Sequence, residues 1–504
     1  FVQATVNWDP RSKRLVYRVL EPELTPRERQ QLEKLAGSLR ELIDVKISSL
    51  GGGALQYLEA KVAGVLDELG MKLRGESYLK IMYYIYRDFV GLNEIEPLMH
   101  DPYIEDIGCS GVGSNIYVTH RKFGSVVTTI SFPEFEQLNN FVIKLAERSG
   151  RYISYAMPLL DGTLPDGSRV QASLAKDVTT RGPTFSLRRF RKNPFSPVDL
   201  LNFRTVSSSL LAYLWLLIEH QSSLLVAGGV SAGKTTFLNM ISMFIPPEKK
   251  VVSIEDVREI NIPHENWIPA TTRTGFGIPE AGGRRYGEVQ LFDLLKESFR
   301  MKPDYVIVGE VRGKEAYVLF QGMASGNPSL GTIHAGSVED VIKRLVTPPI
   351  ELSPSLIESL DAVVIMVNAR EKGASARRVK EIVEIESVDA ETSHPHTTKV
   401  FAWIPAADEY KDSTDQSLLL RRISYEKGLN YRVLLEELGK RRQVVEWMQA
   451  HAVVEYDEVS AIVEQYYRDP QAVLQMAREN QVPPHARGQL LEESVTGLKL
   501  AKDM

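Results

Sequence analysis

Between Thr25 and Val90 apolar residues recur every three or four positions, the period of an amphipathic helix. Thr25-Pro26-Arg27-Glu28 opens the first such stretch with an N-cap threonine, a proline at the first helical position and a glutamate at the third. Leu32, Leu35, Leu39, Leu42 and Ile43 continue it. Gly51-Gly52-Gly53 predicts a flexible break. Leu55, Leu58, Val62, Val65, Leu66 and Leu69 then mark a second helix, and Leu79 to Val90 a third. Residues 1–90 are therefore expected to be a helical N-terminal region. Tyr83, Tyr84 and Tyr86 read as a packed aromatic helix face, with an interaction surface as the alternative.

The period shortens over residues 91–190. Ile116–His120 and Ser125–Ile130 read as a hairpin around Lys122-Phe123-Gly124. Phe135 to Arg148 is a helix, and Arg151 to Ser173 is strand-like with an Asp166-Gly167 turn. This predicts a small α+β domain. Arg188 to Lys192 is a dense basic run, and Pro194 and Pro197 after it suggest a stiff interdomain linker over 191–200. Across 201–404, apolar strands at Leu224–Ala227, Val251–Ile254, Tyr305–Val308, Ser329–Ile333 and Val363–Val367 alternate with helical text. That pattern implies a mainly parallel sheet covered by helices. Leu210 to Ile218 is far too short to span a bilayer and reads as a buried helix. Beyond 404, Tyr431–Ala450 and Tyr456–Tyr467 are helical, with Leu434, Leu435, Leu438 and Val444 as an apolar face. Residues 405–504 read as a helical C-terminal extension.

Composition narrows the class only a little. A chain of 504 residues has room for roughly three domains. The net charge of −5 gives no global basic character to suggest tight nucleic-acid binding. Cys109 is the only cysteine, so neither an intramolecular disulfide nor a cysteine zinc site is possible; a reducing, cytoplasmic setting suits it. No signal peptide is expected at the start, and Phe1 in place of methionine points to numbering that begins inside a longer chain.

The chemistry concentrates at Gly228-Gly229-Val230-Ser231-Ala232-Gly233-Lys234-Thr235, which fits the phosphate-binding P-loop pattern. A short apolar strand runs into it and a helix beginning near Thr236 leaves it. Glycines let consecutive N–H groups turn inward on phosphate. The helix points the positive end of its dipole at the same anion. Lys234 is placed for the β- and γ-phosphates of a nucleotide, and the Thr235 hydroxyl for Mg²⁺. The alternative is a glycine-rich turn that happens to end in Lys-Thr.

Three further segments end apolar strands. Val251 to Glu259 places Glu255, Asp256 and Glu259 where acidic residues hold Mg²⁺ or orient water; a solvated loop is the alternative. Asp304 to Arg312 is a buried strand ending in Gly309-Glu310, and Glu310 is placed as the carboxylate that positions attacking water. Arg312 is a candidate contact for phosphate or a neighbouring site, against a helix cap or local salt bridge. Gly331 to Ser337 carries His334, a γ-phosphate sensor or a structural histidine.

Taken in order, Gly228–Thr235, Ile254–Glu259, Val306–Arg312 and Gly331–Ser337 resemble the P-loop, Asp box, atypical Walker B and His box of the type II/type IV secretion ATPase superfamily. The likeness covers about residues 91–400. Leu164–Val170, Arg181–Phe190 and Phe292–Lys296 are similar to its archaeal pilus, archaellum and secretion branch. The four-cysteine zinc module of the bacterial general-secretion ATPases is missing. The resemblance implies an α/β fold with a RecA-like P-loop domain behind an N-terminal α+β domain, and a Mg²⁺-dependent ATPase acting as a homo-hexamer. It implies ATP bound by Gly228–Thr236, with catalytic Glu310, Glu255, Glu259, His334 and Arg312, and metal held by Thr235, Glu255 and Glu310. It also implies a nucleotide cleft between the two domains, to which Arg169, Arg188 and Arg189 would bring charge. The expected partners are an integral membrane platform protein and, indirectly, a pilin-like or secreted substrate. The expected place is the cytoplasmic face of the membrane, with a peripheral anionic-lipid contact through Arg188–Lys192. A RecA-like nucleic-acid motor is the rival, with that basic run as its footprint, although no nucleic acid is expected from the charge. An inactive ring scaffold is the non-enzyme rival, against which Lys234, Thr235 and Glu310 stand.

Overall fold

The computed structural model describes residues 2–42, 53–73, 75–174, 176–190, 193–273, 275, 283–371 and 374–482. The chain divides into two compact units, residues 1–190 and 191–504.

The first unit is built on an eight-stranded sheet. Its central hairpin is Asn115–His120 and Gly124–Ser131. The helix Phe135–Arg148 buries Leu138, Phe141, Val142, Leu145 and Ala146, the positions one face of an α-helix presents. They share a core with Ile107, Ile116, Val118 and Leu187 from the strands.

The first ninety residues are not all helical, which corrects the expectation. Gln3–Asp9 and Arg14–Leu20 form a hairpin, and its second strand joins the sheet in parallel, Val16 beside Val127. Tyr17 is 1% exposed and donates its hydroxyl to Asp101 at 2.6 Å. Tyr17 is the one fully buried residue of the two strands, and the apolar Leu15, Val16, Val19 and Leu20 around it follow no clean alternation. Helices Pro26–Leu42, Ala54–Glu68 and Glu76–Ile85 follow, the last running into a π-helical turn at Tyr86–Val90. They enclose a separate small core of Leu35, Leu39, Leu58, Val62, Ile81 and Ile85. Tyr83 and Tyr84 are half-buried and donate to Glu21 and the Pro22 carbonyl, so they belong to a packed face. Ile43 and the glycines Gly51 and Gly52 lie outside the described residues.

The second unit carries a nine-stranded sheet. Trp267–Thr271, Val251–Glu255, Tyr305–Val311, Ser329–Ile333, Leu224–Gly228 and Ala362–Glu371 lie side by side in that order and run parallel. Ala374–Val388, Pro395–Ile404 and Glu409–Asp412 extend the sheet antiparallel. One strand, Ser329–Ile333, separates the P-loop strand from the Glu310 strand, which is the RecA-like order. Helix Ser208–Glu219 buries Leu210 to Ile218 all round, as its uninterrupted apolar text requires.

Two segment assignments change here. Pro194 and Ser196–Val198 are buried, and Ser196 opens the helix Pro197–Asn202 with a capping box. This stretch is therefore part of the second unit and no stand-alone linker; Arg191 and Lys192 lie outside the described residues. The C-terminal region is likewise no appendage. Helices Leu418–Lys427, Tyr431–Ala450, Tyr456–Arg468 and Pro470–Arg478 share one core with Trp215, Phe237 and Val364. Leu434 and Val444 face that core, whereas Leu435 is exposed.

Arg441 is the polar rivet of this packing. It is 3% exposed, pairs with Glu219 and Glu437, and lies 5.3 Å from the Trp215 ring centre. Arg441→Ala should lower unfolding free energy by about 3 kcal/mol, because it strips the half-buried Glu219 of its cation and removes one of the partners of Glu437. Urea denaturation of the variant checks this; an unchanged midpoint would show the rivet to be dispensable. Among the described residues, no helix is long and apolar enough to cross a membrane.

Candidate nucleotide-binding site

Strand register assembles the site. Ala227 lies opposite Ile333, Ile333 opposite Val311, and Ile254 opposite Val308. The parallel strands therefore end together, and residues at or just past those ends meet at one edge: Gly228, Glu255, Glu310 and His334. Ligands bind at this carboxyl edge of parallel sheets.

The P-loop has the conformation that its sequence requires. A Cβ on Gly228 would stand 2.7 Å from the Met366 carbonyl oxygen. Gly233 takes φ +88° and Ser231 φ +60°, both left-handed. The helix Lys234–Ser242 starts at Lys234 and aims its unpaired N–H groups into the loop. Lys234 is 8% exposed; its Nζ donates to the Gly229 carbonyl at 2.8 Å and lies 3.3 Å from His334 Nδ1. Burial lowers the Lys234 pKa. Thr235 and Thr236 are half-buried at the mouth, and Val230 is exposed on the rim.

Glu310 sits in a β-bulge. Two steps on the neighbouring strand, from Gly331 to Ile333, correspond to three from Val308 to Val311. Bulges re-aim side chains beside active sites. The Thr332 hydroxyl donates to the Gly309 carbonyl at 2.6 Å and pins the bulge. Gly309 is needed because a Cβ there would lie 3.0 Å from Glu255 Cγ. The Gly-Glu pair is thus read physically: glycine admits Glu255, and the bulge presents Glu310.

His334 bridges two of these groups. Its Nε2 lies 3.4 Å from Glu310 Oε1 while Nδ1 faces the Lys234 ammonium. An ammonium can only donate, so Nδ1 accepts and the proton resides on Nε2, aimed at Glu310. Burial, then Lys234, lowers the His334 pKa and keeps the ring neutral.

Glu255 is 3% exposed. Its Oε1 accepts from the Glu259 and Ile260 N–H groups at 2.9 and 3.0 Å. Its Oε2 is buried without a partner. Burial pushes its pKa up to about 7. Glu259 contributes its backbone to this turn. Asp256 accepts from the Thr272 hydroxyl and pairs with Arg312, whose other nitrogen lies 3.9 Å from Glu310. Arg312 thus makes a salt bridge to Asp256 at the edge of the site. Among the described residues, no three His, Cys, Asp or Glu side chains converge to cage a metal by themselves.

The three arginines of the first unit differ. Arg169 and Arg188 stand directly opposite one another on adjacent strands. Arg169 pairs with Asp161 at 3.3 Å. Arg189 instead donates to the Asp101 and Ile104 carbonyls, so its guanidinium is engaged in holding its own unit. Two residues of the site escape motif reading. Thr332 could have been found from its place beside His334; Arg377, which touches the P-loop at Ser231, carries no local signal at all.

Residues 90–400 match the family described as Type II/IV secretion system protein. The chain is 36% identical over 400 residues to the uncharacterized protein MJ0900 of Methanocaldococcus jannaschii, covering 79% of this chain and 71% of that one. It is 29% identical over 280 residues to the type IV secretion system protein PtlH of Bordetella pertussis, covering 49% of this chain and 80% of that one. Among solved structures, it is similar to the X-ray structure of the Yersinia pseudotuberculosis ATPase DotB at 17% identity and a TM-score of 0.42, over 74% of this chain and 92% of that one.

Proposed function

The chain belongs to the type II/IV secretion system protein family, and we propose that it is a Mg²⁺-dependent ATPase that works as a homo-hexameric ring. Its place is the cytoplasmic face of a membrane, where it drives secretion or pilus or archaellum assembly through an integral membrane platform protein. The observation that carries this reading is the convergence of Lys234, His334, Glu310 and Glu255 beside a P-loop of phosphate-cradling shape. The name of PtlH supports the secretion assignment, and the Methanocaldococcus relative supports the archaeal branch.

The residues divide the work as follows. Backbone N–H groups of Gly229 to Thr236 and the Lys234 ammonium bind the phosphates. The Thr235 hydroxyl, Glu310 and the unpartnered Oε2 of Glu255 are oxygen donors suited to Mg²⁺, which takes few protein ligands and completes its shell with phosphate and water. A Mg²⁺ ion held by these oxygens would supply charge neutralisation to the phosphates. Glu310 orients the attacking water and accepts its proton. His334 holds Glu310 through Nε2–H, and when Lys234 turns to phosphate its Nδ1 loses that donor. The ring thereby senses occupancy. Arg312, tied to Asp256, keeps the Asp box beside Glu310. The test is ATP hydrolysis by the purified full chain with and without EDTA, together with light scattering for ring mass. Absence of hydrolysis in Mg²⁺ would refute the reading, and stimulation by DNA would redirect it to a nucleic-acid motor.

We also propose that Arg169 and Arg188 serve the γ-phosphate of the nucleotide. The two stand directly opposite on neighbouring strands, and the planar fork of a guanidinium suits phosphate oxygens. Arg169→Ala and Arg188→Ala should each lower turnover by about a hundredfold with ring assembly intact. Steady-state kinetics decides; normal turnover in both variants would leave the pair as a lipid-facing or solvated patch.

A further inference from the structure

The strand Ala362–Glu371 pairs with the P-loop strand only as far as Met366 against Gly228. Past that point it continues with Ala374–Val388 alone, paired out to Glu371 against Ala374. The two strands make a ribbon that overhangs the carboxyl edge of the parallel sheet, the side on which ligands bind. Arg377 lies on this ribbon opposite Asn368. Its side chain is exposed, yet it reaches back to the P-loop, where Nε donates to the Ser231 carbonyl at 3.2 Å. Its Cδ lies 3.0 Å from where a Cβ on Gly233 would stand.

The contact falls where the loop is most strained. Ser231 holds a left-handed φ of +60° without being glycine, a conformation that non-glycine residues adopt only at a cost. A charge-assisted hydrogen bond to the carbonyl of that residue offsets such a cost. The next residue, Arg378, points to the opposite face of the strand. It is 2% exposed, bonds Asp408 through two nitrogens at 2.7 and 2.9 Å, and donates to the Phe203 carbonyl at 3.0 Å. The backbone that bears Arg377 is therefore anchored, and the guanidinium acts from a fixed base.

We propose that Arg377 is a positioning residue of the nucleotide site. By holding the Ser231 carbonyl outward it keeps the loop's N–H groups turned toward the diphosphate of the nucleotide. It thereby sets affinity for ATP and ADP alike and leaves the chemical step alone. This rests on the ATPase reading above. Its distance from Glu310 in function is what the experiment exploits.

The test uses the full chain as wild type, Arg377→Ala and Arg377→Lys. ADP binding is measured by calorimetric titration and ATP hydrolysis by steady-state kinetics. Arg377→Ala should raise the ADP Kd and the ATP KM together, by about tenfold. Its kcat should stay within about twofold of wild type, and Arg377→Lys, which keeps a cationic donor, should recover most of the affinity. Unchanged Kd and KM in Arg377→Ala, beside a wild type that binds ADP, would overturn the inference alone. So would a loss of kcat at unchanged Kd, which would place Arg377 on the transition state. A wild type that neither binds ADP nor hydrolyses ATP refutes the ATPase reading and this inference with it.

Discussion

Glu310→Gln is expected to leave ATP bound and to slow its hydrolysis by about two to four orders of magnitude. Glutamine keeps the shape that fits the bulge between Val308 and Val311, and the Thr332 hydroxyl still pins the Gly309 carbonyl. What disappears is the acceptor for the water proton, together with one charged oxygen for Mg²⁺. His334 Nε2–H would then face an amide, so the bridge to Lys234 weakens but the loop stays formed. Binding and turnover should separate: an ADP Kd close to wild type with kcat near the detection floor. Glu255→Gln is the informative control. Glu255 is already deep and held by two backbone N–H groups. If Glu310→Gln turns over normally and Glu255→Gln does not, the catalytic carboxylate is Glu255, with its pKa of about 7, and Glu310 merely lines the mouth.

Lys234→Ala is expected to abolish turnover and to weaken ATP binding by about a hundredfold or more. The ammonium is nearly enclosed, held by the Gly229 carbonyl and His334 Nδ1. In such surroundings a charge-assisted contact to phosphate is stronger than it would be in water, because little solvent competes for it. Alanine removes that contact and leaves His334 without its donor. The fold should survive, since Phe237, Leu238, Met240 and Ile241 anchor the helix in the core independently of Lys234. Hydrolysis by the assembled variant is the measurement. Undiminished activity would move the ATP site away from the P-loop altogether.

Much of the site was legible because it is local. A strand, a glycine-rich turn and a helix occupy consecutive residues, and the left-handed turn at Gly233 suits the glycine that the pattern puts before Lys234. Helix Phe135–Arg148 was legible for a similar reason: its apolar residues repeat with the period of the face that they bury. The Gly309-Glu310 pair could be recognised, but why glycine precedes the carboxylate could not. That answer is the approach of Glu255 from a neighbouring strand.

What the sequence determined by itself, then, is every feature carried by consecutive residues: the P-loop, the acidic strand ends, the helical periods and the family likeness. Tertiary structure decided everything that depends on strand order and register. The placing of Ser329–Ile333 between the P-loop strand and the Glu310 strand brings His334 between Lys234 and Glu310. Neighbouring strands bring Asp256 to Arg312, and backbone carbonyls of its own unit claim Arg189. The hairpin of residues 3–20 exists because Tyr17 finds Asp101 and a sheet edge, neither of which its own neighbours announce. The C-terminal helices join the core of the P-loop unit through contacts such as Arg441 with Glu219. A local period records which face of an element is apolar; it does not record which other element that face, or a charged side chain beside it, will meet.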